Sequence, residues 1–349
     1  MKIKDLRVLE IASVLAGPAV GMFFSELGAK VIKIENKSQG GDVTRKWKLP
    51  SELANSPTSA YYHSVNWNKE THFLDFNDQV DREFLISLIK ESDLVISNFK
   101  KGDDVKFNLT FEDLKLIQPK IILGTISGFG EESPRMAFDV VLQAETGYIS
   151  MTGDSDSNLA KLPVAFIDLF AAHQLKEGLL LALLEETKPC HVSVSLYDAA
   201  IASLANQASN YLNEQFVPKP MGTKHPNIAP YGDLLETKDQ NFIVLAVGNN
   251  KQFESLLKVL GLPVEEEFNT NLMRVKNRAR LIEKLNAKTS NWKRKDLLEE
   301  LEKNNVPAGG VYSLDRVFEN ENAQKLILNE TTNKIYSRRV RTTVFKTSF

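Results

Sequence analysis

One carboxylate stands where acyl chemistry is easy to build. In the run LPVAFIDLFAAHQLKEGLLLALL, Leu162 to Leu184, Asp168 follows the apolar, partly β-branched Val164 to Ile167 and precedes Leu175, Leu179, Leu180 and Leu183, which recur at helical spacing. The change of period predicts an extended segment meeting a helix at Asp168. An acid there has two uses. As an N-cap it satisfies free backbone N–H groups; as a nucleophile it attacks an activated carbonyl and carries the acyl group. The local pattern favours the cap, and the rest of the chain has to decide.

The other titratable side chains offer little competition. His63, His72, His173 and His191 show no ligand-like spacing with acids or cysteines, so no metal site is expected. Cys190 is the only cysteine, which excludes an internal disulfide and a Cys-cluster metal site and fits a reducing compartment; a buried, inert thiol is expected. With 43 Lys plus Arg against 45 Asp plus Glu, the net charge is −2. No basic block favours nucleic acid or an anionic membrane, so an anionic ligand must be gripped locally. The segment Ile11 to Phe24 has Glu10 before it and Pro18 within it, unlike a signal peptide, and no uncharged apolar run is long enough to span a membrane; a cytoplasmic protein is expected.

The elements that must position Asp168 alternate regularly. Arg7 to Ala12 predicts a strand, AVGMFFSELG a helix with Pro18 at its first position and Gly28 after it, and KVIKIE a second strand. An acid ends that strand, as in a dinucleotide fold, but Gly17 and Gly21 do not make G-x-G-x-x-G, so an NAD-dependent oxidoreductase is disfavoured. A helix around Ala60 to Val65, the strand THFLDF, a helix over Asp78 to Ser92, the strand DLVISNF, a helix capped by Thr110 with Asp113, and a strand from Ile121 continue the alternation. HVSVSL and the helix YDAAIASLANQASNYL follow Asp168. Such alternation implies a doubly wound, Rossmann-like α/β domain with a largely parallel sheet. Phe216 to Pro230 reads as a connecting segment, after which NFIVLAVG, KQFESLLKVLG, two charged amphipathic helices and VPAGGVYS predict a smaller α+β domain. The expected division is residues 1–212, a linker over 213–230, 231–320, and 321–349 returning to the large domain, with RRVRTTVFKTSF as a strand-like end.

Taken in order, VLAGPAVGMFFSELGAKVIKIE, GGDVTR, SNFKKG, FDVVLQAETGYISMTG, PVAFIDL, VSVSLYDAA, HPNIAPY and VPAGGV resemble the class III CoA-transferases, the CaiB/BaiF family. The resemblance spans almost the whole chain and aligns Asp168 with the family's nucleophilic aspartate. It implies an interlocked, ring-like homodimer and an acyl-CoA:carboxylate CoA-transferase acting through a covalent aspartyl-CoA thioester. Coenzyme A enters as part of the substrate, with no tightly bound cofactor. Carried over by motif, the CoA contacts are Leu15 and Ala16, Lys37, Leu74, Asp75, Phe76 and Asn77, Asn98 and Phe99, Lys106, Arg135 and Phe138. Asn36 stands where relatives often carry a basic residue, and the Gly-rich turn before VSVSLYDAA is shortened to ETKPC. His225 lies in HPNIAPY and is read as structural. Two rival readings are an α-methylacyl-CoA racemase and a silent CoA-binding protein. The racemase branch needs a histidine where this chain has Phe138.

Overall fold

The computed structural model describes residues 2–185, 188–332 and 334–348. Of the turn ETKPC, Glu186 and Thr187 therefore lie outside the described residues. The chain divides into two compact units. One comprises Met1–Ser150, Ala160–Pro218 and Lys325–Phe349, the other Met151–Leu159 and Lys219–Gln324.

In the first unit, among the described residues, short apolar runs form one six-stranded parallel sheet: β1 (Arg7–Ile11), β2 (Lys30–Asn36), β3 (Glu70–Leu74), β4 (Leu94–Ser97), β5 (Ile122–Ser127) and β6 (Cys190–Ser195). Their order is β3-β2-β1-β4-β5-β6. The order reverses between β1 and β4, the place where open α/β sheets leave a crevice beyond their strand ends. Strand alternation sends Leu9 and Ile11, Val95 and Leu123 to one face, where they pack with Leu85 and Ile89 of α2 (Gln79–Lys90) and Leu114 of α3 (Phe111–Ile117). On the other face lie α1 (Ala16–Glu26) and α5 (Phe166–Leu184), both apolar nearly all round, as a buried helix requires. α4 (Asp139–Glu145) precedes α5 and packs against it.

Two glycines let α5 approach the sheet. A Cβ on Gly124 of β5 would meet Leu179 at 3.2 Å, and one on Gly178 of α5 would lie 2.5 Å from Cγ1 of Val192. The capping box at Thr110 forms as predicted, with Asp113 answering it. Pro18, expected at the first helical position, is the third residue of α1, which starts at Ala16; the first turn has no intrahelical use for its N–H groups, so proline is tolerated there. The helix predicted from Tyr197 to Leu212 is broken into α6 (Leu196–Ala202) and α7 (Ala205–Glu214), with Ala205 at φ +47°.

The second unit has a three-stranded antiparallel sheet, β7 (Tyr231–Glu236), β8 (Phe242–Ala246) and β9 (Ala308–Gly310), in the order β9-β8-β7. α8 (Asn250–Leu260), α9 (Arg278–Thr289) and α10 (Arg294–Lys303) close its core around Leu235, Ile243, Leu245, Phe253, Leu281 and Leu297. The strand β7 was not anticipated, because Gly232 and Asp233 break the apolar pattern. Gly232 sits at φ +80°, and a Cβ there would lie 1.9 Å from the Thr223 carbonyl oxygen.

The chain then returns to the first unit as a hairpin, β10 (Ile327–Thr332) and β11 (Ile335–Val340). Arg339 donates to the Asn66 carbonyl at 2.6 Å and to Glu330 at 2.7 Å. The strand-like end predicted through the last residues stops at Val340; from Arg341 to Ser348 no strand forms, and the N–H of Thr343 donates to Glu26 at 2.6 Å. No helix among the described residues is long and apolar enough to cross a membrane.

The glycine packing is open to test. Alanine in place of Gly178 gains about 1 kcal/mol of helix propensity but must displace Val192, a clash of about 1–3 kcal/mol. We expect Gly178→Ala to lower stability by about 1 kcal/mol in chemical denaturation, and Val192→Ala to make the same replacement neutral or favourable; additive effects would refute the close contact.

Candidate active site

The extended segment predicted before Asp168 is not a strand: Leu162 to Ala165 form a loop, and α5 begins at Phe166. Asp168 is thus the third residue of the helix and not its N-cap. Ala165 occupies the cap position, without a side-chain bond. The capping is done from elsewhere. Asp139, the first residue of α4, accepts from the N–H of Ile167 at 2.8 Å and from the N–H of Asp168 at 3.3 Å through one oxygen. Its other oxygen accepts from the Gln143 amide one turn on, and Gln143 in turn accepts from the N–H of Leu162 at 2.8 Å. Two polar residues at i and i+4 of an apolar helix therefore clamp both ends of the loop that delivers Asp168.

This clamp leaves the Asp168 carboxylate unoccupied. Asp168 is 7% exposed, and no side-chain or backbone donor among the described residues bonds to its oxygens. Burial, and then the charge of Asp139, raise its pKa from 3.8 to about 7. The N-terminal turn of a helix favours a negative charge by roughly 0.3–2 kcal/mol, which offsets only part of such a burial cost. Tyr61 lies in the same field: burial and then the charges of Asp168, Asp139 and Asp42 push its hydroxyl up to about 12. Its ring meets Trp47 edge-on at 5.1 Å. Tyr61 is thus a neutral phenol that feels the Asp168 charge and rests against Trp47.

The other sequence-predicted residues follow the C-terminal ends of β1 to β5. Leu15 and Ala16 are buried where α1 starts, and only their backbone has hydrogen-bonding groups to offer a ligand. Asn98, after β4, bridges to β1's turn by accepting from the N–H of Ser13 (3.0 Å) and donating to its carbonyl (2.9 Å). Lys37 is exposed and 3.3 Å from Asp81, which also accepts from the N–H of Asp75. Asp75 accepts from the Asn77 backbone and side chain, and Leu74 is buried beneath them. Phe76 and Phe99 pack at 5.1 and 6.3 Å from the ring of Phe107, over which Lys106 lies at 4.9 Å. Arg135 pairs with Glu145 at 2.6 Å and covers Phe129. Phe138, half exposed, precedes Asp139 as the N-cap residue of α4. Asn36 turns back on its own chain, accepting from the N–H of Ser38 at 2.9 Å.

Sequence reasoning did not single out Asp139, Gln143, Tyr61 or Phe107. Asp139 and Gln143 had a readable signal, two polar residues one turn apart inside MAFDVVLQA. Glu35, the acid at the end of the predicted second strand, is internal: it accepts from Arg45 (2.6 and 2.7 Å) and from the Tyr62 hydroxyl (2.8 Å). His225 accepts from the N–H of Asn227 at 3.1 Å and meets Tyr231 edge-on.

The profile of the CoA-transferase family III matches residues 3–347. The chain belongs to CoA-transferase family III. The similar proteins carry CoA transfer in their names. A succinate–glutarate CoA-transferase of Agrobacterium fabrum is 35% identical over 92% of this chain and 83% of its own. The succinyl-CoA:glutarate CoA-transferase of Homo sapiens is 32% identical over 90% of this chain and 73% of its own. A crystal structure of a CaiB/BaiF family protein from Brucella suis is 36% identical and superposes with a TM-score of 0.83, covering 99% of this chain and 92% of that one. The mixed α/β fold with its six-stranded parallel sheet is therefore the family III fold.

The state of Asp168 can be read in stability. Below pH 3.8 the carboxyl is protonated whether the chain is folded or not, and above about 7 the folded state bears the whole cost of the buried charge. Stability is therefore lost as pH rises between those values. We expect Asp168→Asn to match the wild type near pH 4 and to exceed it by up to ~4 kcal/mol at pH 8, at about 1.4 kcal/mol per pKa unit. A difference that stays flat with pH would show that Asp168 titrates normally.

Proposed function

We propose that this enzyme is an acyl-CoA:carboxylate CoA-transferase in which Asp168 carries CoA as an aspartyl thioester. The observation that carries the reading is the unpartnered, desolvated Asp168 carboxylate at the start of α5. A structural acid at that place would be capping N–H groups, and here Asp139 does so. Poor solvation raises both the basicity and the reactivity of a carboxylate, as a nucleophile needs.

The sequence of steps balances without a proton or a cofactor. Asp168 attacks the donor thioester carbonyl, forming an acyl-aspartyl anhydride and releasing CoA thiolate. The thiolate attacks the aspartyl carbonyl, giving the aspartyl-CoA thioester and the free donor acid. An acceptor carboxylate then attacks that thioester, and the released thiolate takes the acceptor acyl group, restoring Asp168. Tyr61, kept neutral within reach of the Asp168 charge, would be the hydrogen-bond donor for the reacting oxygens. The residues after β1 to β5, with Lys37, Lys106 and Arg135 as charges and Phe76, Phe99 and Phe138 as apolar walls, would hold the CoA moiety. The names of the similar proteins point to small dicarboxylates as donor and acceptor acids, with succinyl-CoA the donor to try first.

Phe138 argues against racemisation. It has no exchangeable proton, so one face of an α-carbon lacks the acid or base that such a reaction needs, a role worth ~10²–10⁴ in rate. Incubation with succinyl-CoA should leave an adduct on Asp168 that hydroxylamine or borohydride traps, and Asp168→Asn should fold yet lose transfer by at least ~10³-fold. Because the ionised form reacts, the single-turnover rate should fall as pH drops below about 7. In deuterated water a 2-methylacyl-CoA should keep its α-proton. An adduct elsewhere, or deuterium uptake at turnover rates, would overturn the assignment.

The same reading makes the protein an interlocked homodimer. Tyr211, Leu212, Phe216 and Val217 lie exposed within seven residues of sequence, and an apolar patch of that kind marks a covered face. Sedimentation should show a dimer that persists on dilution to nanomolar concentration; a compact monomer at micromolar concentration would refute it.

A further inference from the structure

Beneath the turn between β1 and α1 lies a set of buried charges that the chemistry of Asp168 does not use. Lys33, fully buried in β2, donates from Nζ to Glu10 at 2.9 Å and to the Ala12 carbonyl at 2.6 Å, and lies 3.3 Å from Asp42. Glu10 also receives Lys69 at 2.7 Å. Asp42 accepts from the N–H of Val14 at 3.1 Å and from both the N–H and the hydroxyl of Thr44 at 3.0 and 2.8 Å. Val14 stands at φ +70°. That region is hard for any residue with a β-branched side chain, and it persists only where the surroundings over-determine it.

Side chains from three other segments hold four backbone groups of the turn. The Ala12 carbonyl is taken by Lys33, the Ser13 N–H and carbonyl by Asn98, and the Val14 N–H by Asp42. The turn sits where the strand order reverses between β1 and β4, the place where open α/β sheets receive ligands. Stability alone is a weak motive for such a cluster, since buried ions are often replaced by apolar groups at no loss.

We propose that Lys33 and Asp42 are positioning residues for coenzyme A: Asp42, fixed by Lys33, holds Val14 in its left-handed conformation so that the backbone of Leu15 and Ala16 is preset to receive the ligand. This rests on the reading that Leu15 and Ala16 touch CoA. Neither side chain carries a polar group, so any hydrogen bond they give the ligand comes from their backbone, and the shape of the turn sets where it points.

Asp42→Asn keeps the size of the side chain and removes the charge; Thr44→Val, a milder change, removes one of the groups that orient Asp42. We expect Asp42→Asn to weaken CoA binding in calorimetry and raise the KM for succinyl-CoA about tenfold, the loss of one hydrogen bond to a charged group, with kcat changed by less than about twofold. Thr44→Val should show the same split in smaller measure, and it decides the matter if the first variant does not fold. Adding Val14→Gly to Asp42→Asn should recover most of the affinity, since glycine holds positive φ without cost; a merely structural defect would not be repaired so. Hydrogen exchange separates the two readings. If CoA fails to protect the amides of Ala12 to Ala16 in the wild type, the contact reading falls and the proposal with it. If those amides are protected and both variants bind CoA as the wild type does, or lose kcat with KM unchanged, the proposal alone falls.

Discussion

A single carboxylate, Asp139, frees another. By accepting from the N–H groups of Ile167 and Asp168 it does the work that an acid at the start of α5 would otherwise do, and Asp168 keeps its own oxygens for something else. The arrangement requires α4 to end a strand-to-helix connection at the right height and α5 to lie close on the sheet. Gly124 and Gly178 supply the second condition by removing side chains from the contact. The apolar packing of α5 is thus what desolvates the carboxylate, and fold and reactivity share one cause.

Charge is handled in two ways in this unit. Around Glu10, Lys33, Lys69 and Asp42, buried ions are matched by ions and carbonyls, so that Glu10 is held below and Lys33 above its ordinary range by opposite charges despite burial. At Asp168 no such partner stands among the described residues, and burial with a like charge nearby drives the shift the other way. The contrast separates groups that fix backbone from one that is left to react.

Much of this was legible in the residues. The parallel sheet follows from alternation of period, the capping box from Thr110 and Asp113, and family membership from an ordered set of short motifs. What was not legible depended on distance along the chain. Asp168 read locally as a cap because a period change cannot show that Asp139, 29 residues away, already serves those N–H groups. The structural role of Glu35 was hidden because only the folded chain brings Arg45 and Tyr62 onto it. The strand β7 was hidden by Gly232, whose positive φ and tight approach to Thr223 are tertiary requirements.

The first unit is closed by residues that arrive last. Between Pro218 and Lys325 the chain leaves it to build the second unit, and only then does Arg339 reach the Asn66 carbonyl and Thr343 reach Glu26, across separations of 273 and 317 residues. Closing loops that long is entropically slow, and a ribosome adds residues one by one. During synthesis the unit that bears Asp168 therefore receives these closing bonds only after the smaller unit's residues have been made. Losing the last residues of the chain from Thr342 on would be felt at the end of α1, near its beginning, where Thr342 and Thr343 bond to Glu26.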